Sequence, residues 1–270
     1  MISLEDIVKQ YPENLRSTFF RQHLVKEYLQ TLVLAKVSKN KFANKLVFIG
    51  GTSLRFCYGL DRFSEDLDFD FFGNDKEILR VVFDKIADEI KKEGINCFIE
   101  HNYKNTDNYC KIIFPGAAKY YKLEDPRKKI WIKIDIQRNR VEYDKELHFI
   151  NRFGFYFPVY LPKREILFSM KALALTQRMK ARDIYDFSFL MSNTKIHFPY
   201  LQKELKILGT EIHTPEDLKQ LIMSKKVEVD IQDKMNEIAI FLQNHENSER
   251  VKTFFEYLNS VDFEKIVTNE

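Results

Sequence analysis

The spacing of apolar residues predicts a helix, a short strand and a sharp turn in the first 60 residues. Apolar side chains three to four positions apart indicate an amphipathic helix over residues 13–36. A short apolar run at residues 46–49 ends at Gly50-Gly51. This combination predicts a buried strand that turns directly into a helix over residues 52–58.

The pattern then changes to the period of two that is typical of strands. Residues 65–71 alternate acidic and apolar side chains, so as a strand they place Asp66, Asp68 and Asp70 on one face. After a predicted amphipathic helix over residues 75–93, strand-like segments follow at residues 95–100, 109–114 and 130–137. In the last segment isoleucines alternate with other residue types, which leaves a polar face that includes Lys133 and Asp135.

Strand signals largely stop at residue 162, and helical periodicity takes over. Helices are predicted at residues 166–191, 200–208, 215–223, 231–244 and 251–261. The fold class expected is therefore α+β, with a mixed sheet and its flanking helices over residues 1–160 and a helical domain over residues 161–270.

Composition excludes several classes of protein. The chain has 270 residues, of which 44% are hydrophobic, so it can bury a sizeable core and is not disordered. It lacks an apolar run of the roughly 20 residues that cross a bilayer, and Glu5 and Asp6 stand where a signal peptide would be basic. Its three cysteines have no C-x-x-C spacing. We expect a cytoplasmic protein with reduced thiols, no zinc site and no membrane partner.

Charge is balanced overall but concentrated locally. The formal net charge of +3 argues against binding nucleic acid by bulk charge. Residues 61–70 hold five acids and one base, a local −4, whereas residues 117–140 and 161–182 each carry +5. An acidic segment and two basic ones in the same chain could belong to a metal-dependent enzyme for polyanionic substrates.

Asp66, Asp68 and Asp135 are candidate metal ligands. Asp66 and Asp68 share a strand face, and Asp135 lies on the polar face of a strand that could run alongside. Two carboxylates about 4 Å apart repel by roughly 4 kcal/mol at an effective dielectric constant near 20, so a cation would stabilise such a cluster. Ligands of this kind suit Mg²⁺ or Mn²⁺. The alternative is a solvated acidic strand face.

Gly50-Gly51-Thr52-Ser53 is a candidate phosphate-binding turn. Glycines allow backbone N–H groups to approach a phosphate, and a helix start adds unpaired donors. The segment lacks the Gly-Lys-Ser/Thr ending of a P-loop. A strand-to-helix turn that needs glycines only for its geometry is the alternative.

Lys171, Arg178, Arg182 and Asp186 fall on one stripe of the helix predicted over residues 166–191, provided that this helix is continuous. Such a stripe could face a triphosphate. The alternative is a solvated face with an Arg182–Asp186 ion pair, worth a few tenths of a kcal/mol.

Together these segments resemble the AbiEii-type nucleotidyltransferases. The matching motifs are Gly50-Gly51-Thr52-Ser53-Leu54-Arg55, Arg62-Phe63-Ser64-Glu65-Asp66-Leu67-Asp68-Phe69, Lys133-Ile134-Asp135, Lys171, and Arg182-Asp183-Ile184-Tyr185-Asp186. They cover roughly residues 45–190. The resemblance implies a DNA-polymerase-β-like nucleotidyltransferase fold and a pyrophosphate-releasing reaction of a nucleoside triphosphate (NTP). It also implies a bacterial toxin of a toxin–antitoxin or phage-defence system, opposed by a separately encoded antitoxin.

The resemblance also implies roles for individual residues. Asp66 and Asp68 would bind metal, Asp135 would be the third acid, Lys171 would bind nucleotide and Asp186 would be a further active-site residue. From the residues themselves, the glycine turn with Thr52 and Ser53 would hold phosphates, and Ser64 and Arg182 are further nucleotide-binding candidates. For Ser64 the alternative is a capping serine at the start of a strand. Some family members act on tRNA, so an RNA acceptor, tRNA first, is expected.

Two other functions stay open from the residues alone. The same chemistry could serve a small-molecule or protein hydroxyl, because the catalytic core does not reveal the acceptor. A catalytically silent module that binds a cation or nucleotide is the second.

Overall fold

The computed structural model describes residues 1–73, 77–104 and 107–269, with the side chains of residues 103, 104, 107 and 108 left out. The described chain divides into two compact units. The first unit comprises residues 1–59, 63–139 and 145–161, and the second comprises residues 60–62, 140–144 and 162–270. The predicted boundary between residues 160 and 161 takes no account of the two short segments, 60–62 and 140–144, that belong to the second unit.

A mixed seven-stranded sheet organises the first unit. Its strands are β1 (Leu46–Ile49), β2 (Leu67–Phe71), β3 (Phe98–Lys104), β4 (Asp107–Phe114), β5 (Ile130–Arg138), β6 (Lys145–Arg152) and β7 (Phe155–Pro162). They lie in the order β3-β4-β5-β2-β1-β7-β6. Strand β2 pairs antiparallel with β1 and parallel with β5, and β1 pairs parallel with β7. The centre of the sheet is therefore made by the acidic segment and its neighbours.

Helices and the buried side of the sheet form the core of the first unit. The helices are α1 (Leu4–Val8), α2 (Arg21–Ser38), α3 (Gly50–Cys57), α4 (Glu77–Lys92) and α5 (Ala117–Tyr120). Helix α2 contacts both β5 and α4. The isoleucines at 130, 132, 134 and 136 are buried in the same core as the apolar residues of α2, which confirms the predicted inward face of β5.

The first helix differs from its prediction. Residues 13–15 and 18–20 form short 3₁₀ turns, and the α-helix begins only at Arg21. Residues 24–37 are all buried, including five polar or charged ones, so α2 is a central helix and not an amphipathic one. The prediction failed because it treated polar residues as a solvent-facing stripe.

The strands of the predicted sheet are present, and two further strands were missed. Residues 46–49, 67–71, 98–104, 107–114 and 130–138 are strands, and the helix predicted from residue 75 begins at Glu77 within the described residues. Its predicted residues 75 and 76 lie outside them. Strands β6 and β7 were not predicted, and Phe153 and Gly154, both with positive φ, link them. The α+β class with a mixed sheet is confirmed.

The second unit is mainly helical. It contains α6 (Arg164–Gln177), α7 (Ala181–Met191), α8 (Phe198–Ile207), α9 (Pro215–Ser224), α10 (Ile231–Ala239), α11 (Glu249–Lys252), α12 (Phe254–Ser260) and α13 (Phe263–Ile266), with β8 (Ile196–His197) parallel to β9 (Val267–Thr268). The single helix predicted over residues 166–191 is wrong, because the backbone becomes extended at Arg178. None of the helices in the described ranges is both long and apolar enough to cross a membrane.

Candidate active site

Two acidic residues of the predicted metal site meet at the centre of the sheet. In the parallel pairing of β2 with β5, Asp68 lies directly opposite Asp135, while Leu67 and Ile134 are buried on the other face. Asp66 lies just before β2, and its carbonyl oxygen accepts a hydrogen bond of 2.5 Å from the Thr52 hydroxyl. The sequence prediction that Asp135 lies alongside the acidic strand is thus confirmed by the register.

The turn at Gly50 brings the start of α3 against one of these acids. Gly50 has φ +77°, a conformation that L-residues rarely adopt. A Cβ atom there would overlap the carboxyl group and Cβ of Asp68. Both constraints demand glycine at this position, so the turn joins the acidic pair to the first N–H groups of an eight-residue helix.

The serine and threonine residues near this turn are buried and form hydrogen bonds within the protein. Thr52 and Ser53 are fully buried, and the Ser53 hydroxyl donates to the carbonyl oxygen of Gly50 at 2.8 Å. Ser64 is buried, and its carbonyl oxygen accepts a hydrogen bond from Gln30 of α2. The Thr52 and Ser53 hydroxyls therefore help to shape the turn, and the backbone of Gly50-Gly51 is the better candidate for phosphate.

A lysine lies within the acidic group. The Lys133 ammonium is 2.7 Å from Oδ1 of Asp135, and both side chains are partly exposed. Burial would lower the pKa of Lys133, but Asp135, with Asp66 and Asp68 behind it, outweighs burial and raises that pKa. The negative charges of Asp135, Asp66 and Asp68 therefore all act on this ammonium.

Fit to a divalent cation depends on the donor set. In the described part of the chain, no group of three or more His, Cys, Asp or Glu side chains is arranged to hold a metal by itself. Mg²⁺ usually takes one or two carboxylates and completes its shell with substrate phosphates and water. Asp68 and Asp135, adjacent in register and next to the Gly50 turn, meet that requirement, with Asp66 as an additional donor.

Helix α3 is anchored by a buried ion cluster that the sequence did not reveal. Glu27 of α2 is 1% exposed and accepts hydrogen bonds from Arg55 of α3, Arg152 of β6 and the Tyr11 hydroxyl. Burial alone would raise the pKa of Glu27, but the two arginines outweigh it and lower the pKa to about 2. Arg55, the last residue of the glycine motif, thus holds the helix that carries the turn.

In the second unit, Asp186 and Lys171 form another buried cluster. Asp186 is fully buried and accepts two hydrogen bonds of 2.7 Å from the Arg62 guanidinium. Its Oδ2 also lies 2.7 Å from the Lys171 ammonium, which is 3.2 Å from Asp183. Burial would lower the pKa of Lys171, but Asp186 and Asp183 more than offset this effect and raise it. Lys171 and Asp186 are therefore brought together, with Arg62 as a third member.

The predicted stripe of basic residues does not exist as one helical face. Arg178 lies in the extended break after α6, where it pairs with Asp183 at 3.0 Å. Arg182 is the second residue of α7 and lies over the ring of Phe241, 5.0 Å from its centroid. Asp186 bonds Arg62 and Lys171, and not Arg182. The condition that the helix be continuous fails.

Arg62 and Glu27 are the residues that sequence reasoning overlooked. Arg62 stands inside the matched motif Arg62-Phe63-Ser64, yet it was given no role. Glu27 lies in a helix whose residues 24–37 are all buried, and a charged residue at a core position is the signal that a buried partner is needed.

Comparison with known families decides the assignment. The family model for nucleotidyl transferase AbiEii toxins of type IV toxin–antitoxin systems matches residues 32–260. This chain belongs to the AbiEii family. It is therefore a nucleotidyltransferase toxin of a toxin–antitoxin system, as the motif resemblance indicated.

Solved structures share the fold of this AbiEii protein. The nucleotidyltransferase toxin MenT4 from Mycobacterium tuberculosis H37Rv has a TM-score of 0.56 and 18% identity, with 100% of this chain and 94% of MenT4 covered. A structure from Helicobacter pylori has a TM-score of 0.53 and 21% identity over 92% of this chain and 98% of that one. JHP933 from Helicobacter pylori, at 22% identity, has a TM-score of 0.48 over 91% and 93% of the two chains, too low to support an argument. None of the curated proteins matches the sequence.

Proposed function

We propose that this AbiEii protein transfers a nucleotide from an NTP to an RNA acceptor, tRNA first among RNAs, and releases pyrophosphate. The observation that carries the proposal is the register of Asp68 with Asp135 beside the Gly50 turn. It supports a site where carboxylates and backbone N–H groups serve the same triphosphate. We also propose that the toxin acts in the cytoplasm, in a toxin–antitoxin or phage-defence pair with a separately encoded antitoxin.

In the first unit, we assign phosphate binding to backbone N–H groups and metal binding to carboxylates. The Gly50-Gly51 backbone would donate N–H groups to β- and γ-phosphate oxygens. Asp68 and Asp135, with Asp66, would hold Mg²⁺ or Mn²⁺, which when bound supplies charge neutralisation at the phosphates and activation of the acceptor hydroxyl. Lys133 would keep the acids ion-paired before the substrate binds. Catalysis then rests on positioning and electrostatics.

The motif residues Lys171, Arg182 and Asp186 of the second unit have proposed roles that follow from the motif resemblance. We propose that Lys171 offsets triphosphate charge, that Asp186 orients Lys171 through their ion pair, and that Arg182 and Ser64 support nucleotide binding. The contact of 2.7 Å between Lys171 and Asp186 supports the orienting role. The buried pairing of Asp186 with Arg62 indicates that it also stabilises the fold.

A labelled-NTP assay tests the reaction and the acceptor together. Each of the four α-labelled NTPs is incubated with Mg²⁺ or Mn²⁺, the protein and separated cell fractions of RNA, protein and small molecules. We expect label in the RNA fraction, predominantly in tRNA, and none with Asp68→Asn or Asp135→Asn. Label confined to the protein or small-molecule fraction would assign the other acceptor class. Nucleotide binding without pyrophosphate release from any fraction would leave only a binding module.

Growth tests the biological setting. Induced wild-type protein should slow growth, and Asp68→Asn, expressed to the same soluble level, should not. Normal growth with soluble, active wild-type protein would contradict the proposal that the toxin modifies RNA in the cytoplasm.

A further inference from the structure

An aromatic and basic ladder extends from the acidic pair along the same face of the sheet. In the antiparallel pairing of β4 with β5, Tyr109 lies opposite Asp135, Lys111 opposite Lys133, and Ile113 opposite Trp131. Directly opposite residues point to the same face, so aromatic and basic side chains alternate away from Asp135. Trp131 lies four residues along β5 from Asp135, or about 13 Å at the rise of a strand.

Ammonium groups lie over both rings of this ladder. Lys133 is 4.8 Å from the centroid of Tyr109, and Lys111 is 5.7 Å from the centroids of both Tyr109 and Trp131. Lys26 of α2, itself paired with Glu65, is also 5.7 Å from the Trp131 centroid. The Trp131 side chain nonetheless keeps 39% of its surface exposed. Exposed rings flanked by cations are the elements with which proteins bind single-stranded nucleic acid.

The basic character continues beyond Trp131. Arg127, Lys128 and Lys129 immediately precede β5 and are all exposed. The basic segment 117–140 noted in the sequence thus contains an exposed run at one end of β5 and Lys133 in its middle. The basic side chains of this segment therefore line a path along β5 that ends at Asp135.

The strand order separates this path from the glycine turn. Strands β4 and β5 lie on one side of β2, whereas β1, which leads into Gly50, lies on the other. The acidic pair Asp68–Asp135 therefore stands between the turn and the ladder. A transfer reaction needs its two substrates on opposite sides of the metal-binding acids, and the turn already suits the triphosphate.

We infer that Trp131, Tyr109, Lys111 and Lys133 form the binding track for the single-stranded end of the RNA acceptor, with the exposed run 127–129 extending it. Bases of the strand would stack on Trp131 and Tyr109, and phosphates would contact the lysines. The inference rests on the proposed RNA acceptor. A peptide acceptor would leave the alternating lysines without complementary charge, whereas a nucleic-acid strand offers π-faces and phosphates in alternation.

The chain has one tryptophan, so its fluorescence reports this site alone. The whole protein is titrated with a single-stranded oligoadenylate decamer, with ATP, with duplex RNA and with heparin. Quenching by the decamer, with heparin and ATP giving little change, is expected. Equal quenching by heparin would reduce the track to a charge effect, and quenching by ATP alone would reassign Trp131 to the nucleotide site; either overturns the inference.

Variants separate stacking from charge. Binding is followed by anisotropy of a labelled decamer, and folding by thermal melting. Trp131→Ala should weaken binding about tenfold, whereas Trp131→Phe, which keeps a ring, should restore most of it. Lys111→Gln should reduce the slope of log affinity against log salt by about 0.7. Phe149→Ala is the matched control, because Phe149 is 55% exposed on β6 at the other edge of the sheet and should bind as wild type.

The labelled-NTP assay distinguishes the two proposals. If RNA is labelled, Trp131→Ala should raise KM for the RNA about tenfold and leave KM for the NTP unchanged. Labelled RNA with an unchanged KM for RNA would overturn the track and leave the RNA transferase in place. Decamer binding that depends on Trp131, without labelling of any RNA, would keep the track and overturn the transferase.

Discussion

The acidic face of the sheet and the Asp186 cluster of the second unit hold carboxylates in opposite ways. Asp68 and Asp135 lie side by side, partly exposed, with Lys133 paired to one of them. Asp186 is fully buried and is bonded by Arg62 and Lys171. The first arrangement concentrates negative charge where solvent can reach it, and the second neutralises a charge that water cannot reach.

This difference shows why the number of acids and bases in a segment is a poor guide to their role. Removing an acid from a repulsive, solvated group relieves repulsion. Removing an acid from a compensated, buried group leaves cations without a partner in a low-dielectric interior. Glu27, with Arg55 and Arg152, is a second compensated cluster, and it lies in the same unit as the acidic face. Substitutions at these sites should therefore separate stability from activity.

The largest loss of stability is expected for Asp186→Asn. Losing the charge removes the buried carboxylate that pairs with Arg62, and one of the two carboxylates that pair with Lys171, which should lower the free energy of unfolding by about 3–5 kcal/mol. Chemical denaturation measures the change. Glu237→Gln is the control, because it breaks a half-exposed pair with Lys234 at 3.1 Å and should cost under about 1 kcal/mol. Equal stability of the two variants would contradict the buried cluster.

The second-largest loss of stability is expected when acid protonates Glu27 in its buried cluster. The pKa of Glu27 is lower in the folded chain, about 2, than its ordinary value of 4.5. Its contribution is therefore complete above about pH 5 and is lost as the pH falls toward 2, a change of about 3 kcal/mol. Denaturation curves of wild type and Glu27→Gln across this range measure it. The wild type should lose more stability than the variant, and parallel curves would show that Glu27 does not titrate as described.

A smaller loss is expected at the glycine turn. Gly50→Ala should cost more than Gly94→Ala, since both glycines have φ near +76° but only Gly50 is crowded by Asp68. The backbone penalty alone is about 1–2 kcal/mol. Gly50→Ala should also displace Asp68 and reduce nucleotide transfer at least tenfold, while Gly94→Ala keeps activity. Denaturation measures the loss of stability, and the labelled-NTP assay measures the loss of transfer. Identical behaviour of the two variants would show that the close approach of Gly50 to Asp68 is not needed for transfer.

The smallest change in stability is expected for Asp68→Asn, at the proposed metal-binding pair. Asp68→Asn removes a charge from the acidic pair and should alter the free energy of unfolding by less than about 0.5 kcal/mol while abolishing transfer. Melting and the transfer assay, run on the same preparation, give both values. A loss of several kcal/mol would mean that Asp68 is a structural residue.

The sequence predicted the elements whose pattern is local. The alternation at residues 65–71 and 130–137 and the glycines at 50 and 51 were sufficient to anticipate β2, β5 and the turn, because each depends on neighbouring residues. The in-register meeting of Asp68 with Asp135 was anticipated as a possibility and required the sheet order to become definite.

Other features depend on residues far apart in the chain. Glu27 is bonded by Arg55 and Arg152, which are 28 and 125 positions away, and Asp186 by Arg62, 124 positions away. No periodicity encodes such pairs. Strand β6 was missed because its mostly exposed residues lack a clear apolar face. Strand β7, which follows it, was missed as well. The break at Arg178 lacks a proline or glycine to mark it.

Residues 60–62 belong to the second unit, and this has a practical consequence for attempts to express that unit as a fragment. Residues 63–161, which belong to the first unit except for residues 140–144, separate Arg62, the partner of Asp186, from the helices of the second unit. A C-terminal fragment cut at residue 161 would therefore lack Arg62, one of the two cations, with Lys171, that pair with the buried Asp186 carboxylate. Proteolysis or gene truncation at that junction should yield an insoluble C-terminal piece, whereas adding the peptide 60–62 back through a designed linker would supply the missing cation.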